Sequence, residues 1–293
     1  MALELISNPS LAERTTLGVG GSAEVEIVVR DAADLDDLSE FLTTRTLRPF
    51  AIGEGSNILA QDGSLDLALI RTETTPGPER VEKRDNKLIV RCGAAQRLPG
   101  LLGWAQMAGL SGLEGLTGIP GSVGGGVAMN AGSYGTEIGD VISRIRIWTP
   151  SGGLVWVDAK ECEFEYRRFS CPTVPGKALI WEAEFALTEE SPKAVRAAMK
   201  EIYDKKKATQ PVTARSAGCV FKNPEGESAG KLLDEAGMKG ATVGNMAFSD
   251  VHANFMINLG EGKATEALEL LEMGRNAVRE QFGITLKTEV IIL

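Results

Sequence analysis

Histidine is nearly missing from the chain: His252 stands alone in 293 residues. That excludes His-cluster metal sites and any chemistry that needs two imidazoles. Cysteine is sparse. Cys92, Cys162, Cys171 and Cys219 contain no C-x-x-C pair, so zinc spacing is absent and reduced thiols are expected. No apolar run reaches bilayer length, and Met1 to Ser10 has neither the basic n-region nor the apolar stretch of a signal peptide. A soluble, cytoplasmic protein without bound metal is expected. No Gly-Lys pair is followed by Ser or Thr, which removes the P-loop. Positive charge is in deficit, with 31 Lys and Arg against 40 Asp and Glu, a net charge of -9. Such a surface argues against broad nucleic-acid or membrane binding and leaves room for a local basic pocket. Separately from charge, a monomer is expected. The length allows two or three domains and a large core without disulfides.

Glycine is in excess, with 34 residues in 293 against a usual ~7%. It gathers in three segments: Gly18-Val19-Gly20-Gly21-Ser22-Ala23, Gly53-Glu54-Gly55-Ser56-Asn57, and Gly118 to Gly126 continuing to Asn130-Ala131-Gly132. The first matches G-x-G-x-x-A on paper. It precedes a strand, however, whereas the dinucleotide fingerprint follows one and opens a helix. A Rossmann reading is therefore rejected. Glycine at this density serves tight turns, or lets backbone N–H groups converge on an anion. Three segments in the first half favour phosphate cradling, with Ser56, Asn57, Ser122 and Asn130 as neutral donors.

Periodicity predicts mixed α and β structure. Strands are expected at Ala23 to Val29, Pro49 to Ile52, Leu67 to Ile70, Lys87 to Cys92, Val141 to Trp148, Leu154 to Val157, Ala178 to Leu187, Cys219 to Lys222, Ala253 to Asn258 and Leu286 to Ile291. Helices are expected after Asp31, at Gln96 to Gly109, after Ser191-Pro192, at Ser228 to Ala236 and at Lys263 to Phe282, the last ended by Gly283. Gly112 to Gly139 has no clear period. The polar stretch Arg71 to Asn86 and the run Lys205 to Pro211 mark boundaries. The division is 1–72, 73–208 and 209–293, with the last strand packing back on the second piece.

In the second half, Arg167 falls between two strands, where an arginine is more often a surface group than a catalyst. Cys219 follows small residues and opens an apolar strand, which suits a buried thiol or a functional one. Glu289 interrupts a strand fit for burial, so it has partners or lies on an edge. Gly226-Glu227-Ser228-Ala229-Gly230 matches the nucleophile elbow, and Asp250 and His252 follow in triad order. Ser228 equally reads as a helix N-cap, and too little chain follows it for a hydrolase sheet.

Taken together, Thr16 to Gly21, Gly53 to Leu59, Gly115 to Gly125, Tyr166-Arg167, Ala217 to Pro224, His252 to Phe255 and Glu289-Val290 resemble the UDP-N-acetylenolpyruvoylglucosamine reductase (UDP-N-acetylmuramate dehydrogenase) family. The match spans nearly the whole chain in the right order. The short spacing from Arg167 to Cys219 resembles its type II branch. The resemblance implies an α+β fold of the vanillyl-alcohol-oxidase (PCMH) type: two subdomains, 1–72 and 73–208, hold non-covalent FAD, and a C-terminal α+β domain, 209–293, binds substrate.

It also implies two half-reactions of peptidoglycan synthesis. NADPH reduces FAD; hydride then passes from flavin N5 to the enolpyruvyl ether of UDP-N-acetylglucosamine, giving UDP-N-acetylmuramate. By resemblance the catalytic residues are Arg167, on the substrate carboxylate, Glu289 beside it, and Cys219 as proton donor. The cofactor would lie against Gly18, Gly20, Gly21, Gly53, Glu54, Gly55, Ser56, Asn57, Ile58, Gly118, Ile119, Pro120, Gly121, Ser122, Gly124, Gly125 and Asn130. Lys222, Asn223 and Asn254 are expected at the nucleotide sugar. Two positions depart from the family pattern. Cys219 replaces a serine, and Phe169 stands where a serine usually follows the arginine, with Ser170 one place late. Competing readings are another flavoenzyme of this fold, the Ser228 hydrolase and a non-catalytic nucleotide-sugar binder.

Overall fold

The computed structural model describes residues 3–73, 76–174, 176 and 178–293. The chain forms two compact units. The first comprises Met1–Ile6, Val25–Glu54 and Leu67–Lys205; the second comprises Ser7–Glu24, Gly55–Asp66 and Lys206–Leu293. Among the described residues no helix is long and apolar enough to cross a membrane.

The first unit is built on two sheets. In one, Glu4–Ser7, Ser22–Val29, Ser64–Thr72 and Arg48–Ala51 lie side by side in that order. The last two are parallel, with Arg48 opposite Leu67 and Ala51 opposite Ile70. Helix α1 (Asp34–Thr44) begins where Asp31 Oδ1 accepts from the N–H groups of Ala33 at 2.8 Å and Asp34 at 3.3 Å. Its Leu35 and Leu38 join Val25, Ile27, Ile70 and Trp181 in one core, because apolar residues at i and i+3 share a helix face.

The other sheet is antiparallel, in the order Gly153–Asp158, Ile142–Thr149, Leu179–Glu189, Lys87–Gly93 and Glu79–Arg84. Helices α2 (Leu98–Ala108) and α3 (Val123–Ala128) contribute Leu98, Leu101, Val123 and Val127 to a core with Val90, Ile145 and Phe185. The strands also carry charge. Glu184, buried on Leu179–Glu189, receives Arg144 and Arg91, and Glu182 receives Arg146 at 2.8 Å. The Arg144 guanidinium lies 4.4 Å from the Trp156 ring centroid. Burial would raise the Glu184 carboxyl, but hydrogen bonds from Arg144 and Arg91 outweigh it and hold it below the ordinary range.

Two sequence expectations change here. Arg71 to Asn86 was expected as a polar boundary; Glu79–Arg84 is instead an edge strand, exposed along its whole length. Asp85 and Asn86 turn it back with φ of 48° and 63°, the left-handed pair that a two-residue hairpin needs. Charge on an edge hides alternation and discourages pairing with other chains. Thr74 and Thr75 of that boundary lie outside the described residues. The aperiodic stretch Gly112 to Gly139 contains α3, a helix in spite of Gly124, Gly125 and Gly126. Packing outweighs propensity there: a Cβ on Gly126 would sit 3.3 Å from Leu98 and 3.4 Å from Ile138.

Helix α4 (Pro192–Thr209) starts as expected, with Ser191 Oγ accepting from Ala194 N–H at 3.2 Å. In the second unit the sheet order is Ser216–Cys219, Phe255–Asn258, Met246–Phe248 and Thr242–Val243, all antiparallel. Helices α5 (Ala229–Glu235) and α6 (Ala264–Phe282) pack Leu232, Leu233, Leu270 and Leu271 with Val220, Phe221 and Phe248. Gly283, at φ 70°, ends α6.

The expected strand Leu286 to Ile291 shrinks to Ile291–Ile292. It pairs in parallel with Ile58–Leu59 rather than with the region 73–208. Ile291 N–H donates to Asn57 O, and Gln61 N–H to Leu293 O, both at 3.0 Å.

Candidate active site

Arg167 belongs to the first unit. It occupies, with Tyr166, the two-residue turn of a hairpin formed by Glu163–Glu165 and Arg168–Ser170, in which Glu165 opposes Arg168. Its φ is 56°, a left-handed conformation that an L residue adopts at a cost. The guanidinium is anchored rather than loose. Arg167 Nη2 donates to Gly132 O at 3.2 Å, and the group lies 5.1 Å from the Tyr166 ring centroid. Asn130 holds the same turn from beneath. Its side chain is fully buried; Nδ2 donates to Glu165 O at 3.1 Å and to the Glu137 carboxylate, while Oδ1 accepts from Gly139 N–H at 3.1 Å. Phe169 packs on Phe164, ring centroids 5.2 Å apart. The late hydroxyl, Ser170, donates to Glu163 at 2.7 Å.

Also in the first unit, a Cβ on Gly53 would run into Ser122 Oγ, so two of the glycine segments meet there. Ser122 caps α3 by accepting from Gly125 N–H at 3.3 Å. Gly124 N–H donates to Ala94 O at 2.9 Å. These two amides shape the loop instead of offering donors. Gly118 and Gly121 take φ of 78° and 123°, Ile119 packs on the core, and Pro120 lies between them. Arg97 neutralises Glu54 at 2.9 Å.

Cys219 and Glu289 belong to the second unit and are tied together. Cys219 ends its strand opposite Phe255, whereas a strand beginning there was expected; the apolar run after it is held differently. Val220 N–H donates to Asn254 O at 2.9 Å, and Val220 O accepts from Glu289 N–H at 2.8 Å. The Asn254 side chain, 2% exposed, then acts as a strand partner. Its Oδ1 accepts from Phe221 N–H at 2.9 Å and its Nδ2 donates to Phe221 O at 2.8 Å. Asn254 was expected at the substrate; its amide is committed to this clamp. Asn223 Oδ1 accepts from Ala229 N–H at 3.0 Å at the start of α5. Lys222 N–H donates to Lys287 O at 2.9 Å, with its side chain half-exposed. Glu289 is half-buried, and its carbonyl accepts from Asn57 Nδ2 at 3.2 Å.

The first glycine segment lies in this unit as well. Gly18 and Gly20 have φ of 71° and 111°, while Gly21 N–H donates to Gln61 O at 2.9 Å. Gly55 has φ 62° and accepts from Thr16 N–H at 3.3 Å; Ser56 and Asn57 follow it. Ile58 is a buried strand residue. Two neighbours escaped the sequence reading. Asn258 Nδ2 donates to the carbonyls of Leu17 and Gly18 at 3.0 and 3.3 Å. Arg215 brings its guanidinium 4.0 Å from where a Gly18 Cβ would stand. An asparagine closing an apolar strand was the available signal for the first; nothing marked the second.

The hydrolase reading fails on geometry. Ser228 Oγ caps α5, accepting from Lys231 N–H at 3.4 Å. His252 Nδ1 accepts from Asn254 N–H at 3.2 Å, whereas a triad imidazole donates from that nitrogen to its acid.

Residues 23–158 match the FAD binding domain family, and residues 210–293 match the C-terminal domain of UDP-N-acetylenolpyruvoylglucosamine reductase. Residues 23–158 thus carry an α+β FAD-binding fold, and the protein is a flavoprotein by class. A UDP-N-acetylenolpyruvoylglucosamine reductase of Nitratidesulfovibrio vulgaris is 47% identical over 99% of both chains. One from Oleidesulfovibrio alaskensis is 44% identical, covering 98% of this chain and 97% of its own. The crystal structure of the Thermus caldophilus enzyme of that name superposes with a TM-score of 0.82 at 34% identity, covering 100% of this chain and 99% of that one. The chain belongs to the UDP-N-acetylenolpyruvoylglucosamine reductase family.

Proposed function

We propose that this protein reduces the enolpyruvyl ether of UDP-N-acetylglucosamine to UDP-N-acetylmuramate in the cytoplasm, with FAD as bound cofactor and NADPH as reductant. The observation that carries the reading is whole-length identity of 47% to a reductase named for that reaction. The residues present fit FAD. Gly118 and Gly121 hold left-handed backbone that no side chain adopts without strain, and Glu54, the one acid in the three glycine segments, is neutralised by Arg97. A pyrophosphate therefore meets neither bulk nor bare negative charge. FAD, when bound, supplies the hydride.

The chain's own residues do the rest. Addition at the vinyl β-carbon drives negative charge onto the substrate carboxylate. Arg167, fixed by Gly132 and Tyr166, is the cation that stabilises it, and preorganisation is what gives such a group its effect. Glu289 takes the same carboxylate, as an acid or as an orienting hydrogen-bond partner. Cys219 delivers the proton to the α-carbon. A free thiol has a reference pKa of about 8.5 and holds its proton at neutral pH far less tightly than an alcohol, so the cysteine replaces a serine donor without loss of role. Val220 sets the two groups in one frame by joining Asn254 on one side and Glu289 on the other. Lys222 is assigned to the substrate diphosphate.

The test is an anaerobic absorbance trace at the flavin band. One equivalent of NADPH is expected to bleach it, and the enolpyruvyl nucleotide sugar to restore it. Bleaching that this sugar leaves unrecovered, or absence of a flavin band after incubation with FAD, overturns the reading.

A further inference from the structure

The hairpin that carries Arg167 has a feature its mechanism does not use. Its ladder runs Glu163 opposite Ser170, Phe164 opposite Phe169 and Glu165 opposite Arg168. The next pair outward is Cys162 and Cys171. Directly opposed residues on antiparallel strands have Cα atoms about 4.5 or 5.5 Å apart, within the about 4.4–6.8 Å that a disulfide spans. Both cysteines lie on the face of Phe164 and Phe169, since side chains two residues apart share a face. All four pack against one core, and the two thiols are near enough to perturb each other. Both are free and half-buried. Cys171 is also reachable: it lines an open pocket of about 600 Å³ with Phe169, Pro172 and Val174, and its Sγ lies 3.4 Å from Thr173 Oγ1.

We propose that Cys162 and Cys171 are a reversible modification site, closed to a disulfide across the base of the Arg167 hairpin by a peroxide. The two partners have different roles. Cys171 lines the open pocket and so meets the peroxide first, while burial, and then the neighbouring Cys171, push the Cys162 thiol up to about 12. The Cys171 sulfur takes one oxygen from the peroxide, becoming a sulfenic acid, and the rest of the peroxide leaves as water when the oxidant is hydrogen peroxide. Cys162 then displaces that oxygen as a second water, forming the S–S bond. Two thiols lose two protons and two electrons, and the peroxide gains them. The remaining thiols are placed otherwise. Cys92 is fully buried and its thiol is pushed up to about 12 by that burial, and Cys219 lies in the other unit.

The test uses the FAD-loaded protein treated with hydrogen peroxide, then alkylated, denatured and digested with trypsin. Cleavage at Lys160, Arg167, Arg168 and Lys177 separates the partners, so the bond appears as peptide 161–167 linked to peptide 169–177. That linked species is expected to form in treated protein and to vanish on reduction, while Cys92 and Cys219 are recovered alkylated. In Cys162→Ser the linkage is lost and Cys171 proceeds to its sulfinic acid. Thiol counting on the undigested wild type falls by two, a readout independent of the variant. Recovery of 161–167 and 169–177 as separate alkylated or over-oxidised peptides, or linkage of Cys171 to Cys219, overturns the proposal.

Discussion

Asn254→Ala removes the clamp that frames Cys219 and Glu289, and its cost can be worked from the contacts. Phe221 is fully buried, and both of its backbone groups are satisfied by the Asn254 amide at 2.9 and 2.8 Å. Alanine leaves a buried N–H and a buried C=O without these partners, at about 1–3 kcal/mol each, so the expected loss is about 4 kcal/mol. Urea unfolding read by far-UV circular dichroism measures it. Activity is expected to split along the two half-reactions: NADPH bleaches the flavin at the wild-type rate, and the enolpyruvyl sugar restores it slowly. Asn254→Asp refines the test. Its carboxyl can replace the lost donor only when protonated, so the folded state binds a proton that the unfolded state, near pKa 3.9, releases. Stability of that variant therefore falls as pH rises above about 4, following the difference in bound protons. A loss below about 0.5 kcal/mol in Asn254→Ala, the range of an ordinary surface substitution, together with normal recovery of the flavin band, refutes the clamp.

Three further outcomes are expected. Cys219→Ser keeps product formation, whereas Cys219→Ala loses it by at least about 100-fold, the usual scale of a general acid, with NADPH still bleaching the flavin; stopped-flow absorbance separates these steps. Gly53→Ala drives a methyl into Ser122 and lowers the FAD content of purified protein, measured by the ratio of flavin to protein absorbance. Burial depresses the His252 imidazole below its ordinary value, so the unfolded chain binds the extra proton first. Wild-type stability is therefore complete above about pH 6.5 and declines as pH falls below it. His252→Gln flattens the slope below pH 6.5, and an unchanged slope in chemical unfolding shows the loss comes from another group.

Local chemistry made much of this fold readable from sequence. Ser191, Ser228 and Gly283 bound their helices as their cap chemistry requires, and the hairpin at Pro150 to Gly153 joins the strands expected on either side. Where reading failed, distant contacts decided. Helix α3 is held by close approach of Gly124 and Gly126 to neighbours, which no local propensity reports. The strand at Cys219 ends where it was expected to begin, because a side chain, Asn254, takes over the role of the next strand. Residues 7–24 and 55–66 read as parts of an N-terminal piece and group in space with 206–293. At the candidate site, chemistry-bearing residues such as Arg167 stood out as motifs. Of their supports, Asn130 was read as a phosphate donor and its side chain holds the Arg167 turn, while Asn258 was not singled out, since a polar side chain buried for its own hydrogen bonds has no sequence signature apart from the strand or turn it serves.

That interleaved grouping has a consequence during synthesis. The first unit has all its residues once Lys205 has been made. The second does not, although it begins with Ser7: its C-terminal Leu293 bonds to residues 59 and 61. At about 5–20 residues per second, the 88 residues between Lys205 and Leu293 take roughly 4–18 s to emerge. Throughout that interval Leu17, Val19 and Leu59, fully or nearly buried in the finished core, have no core to enter. The nascent chain therefore carries its first glycine loop and the apolar flanks of that loop uncovered until residue 293 has emerged, and that interval is when a chaperone would find them.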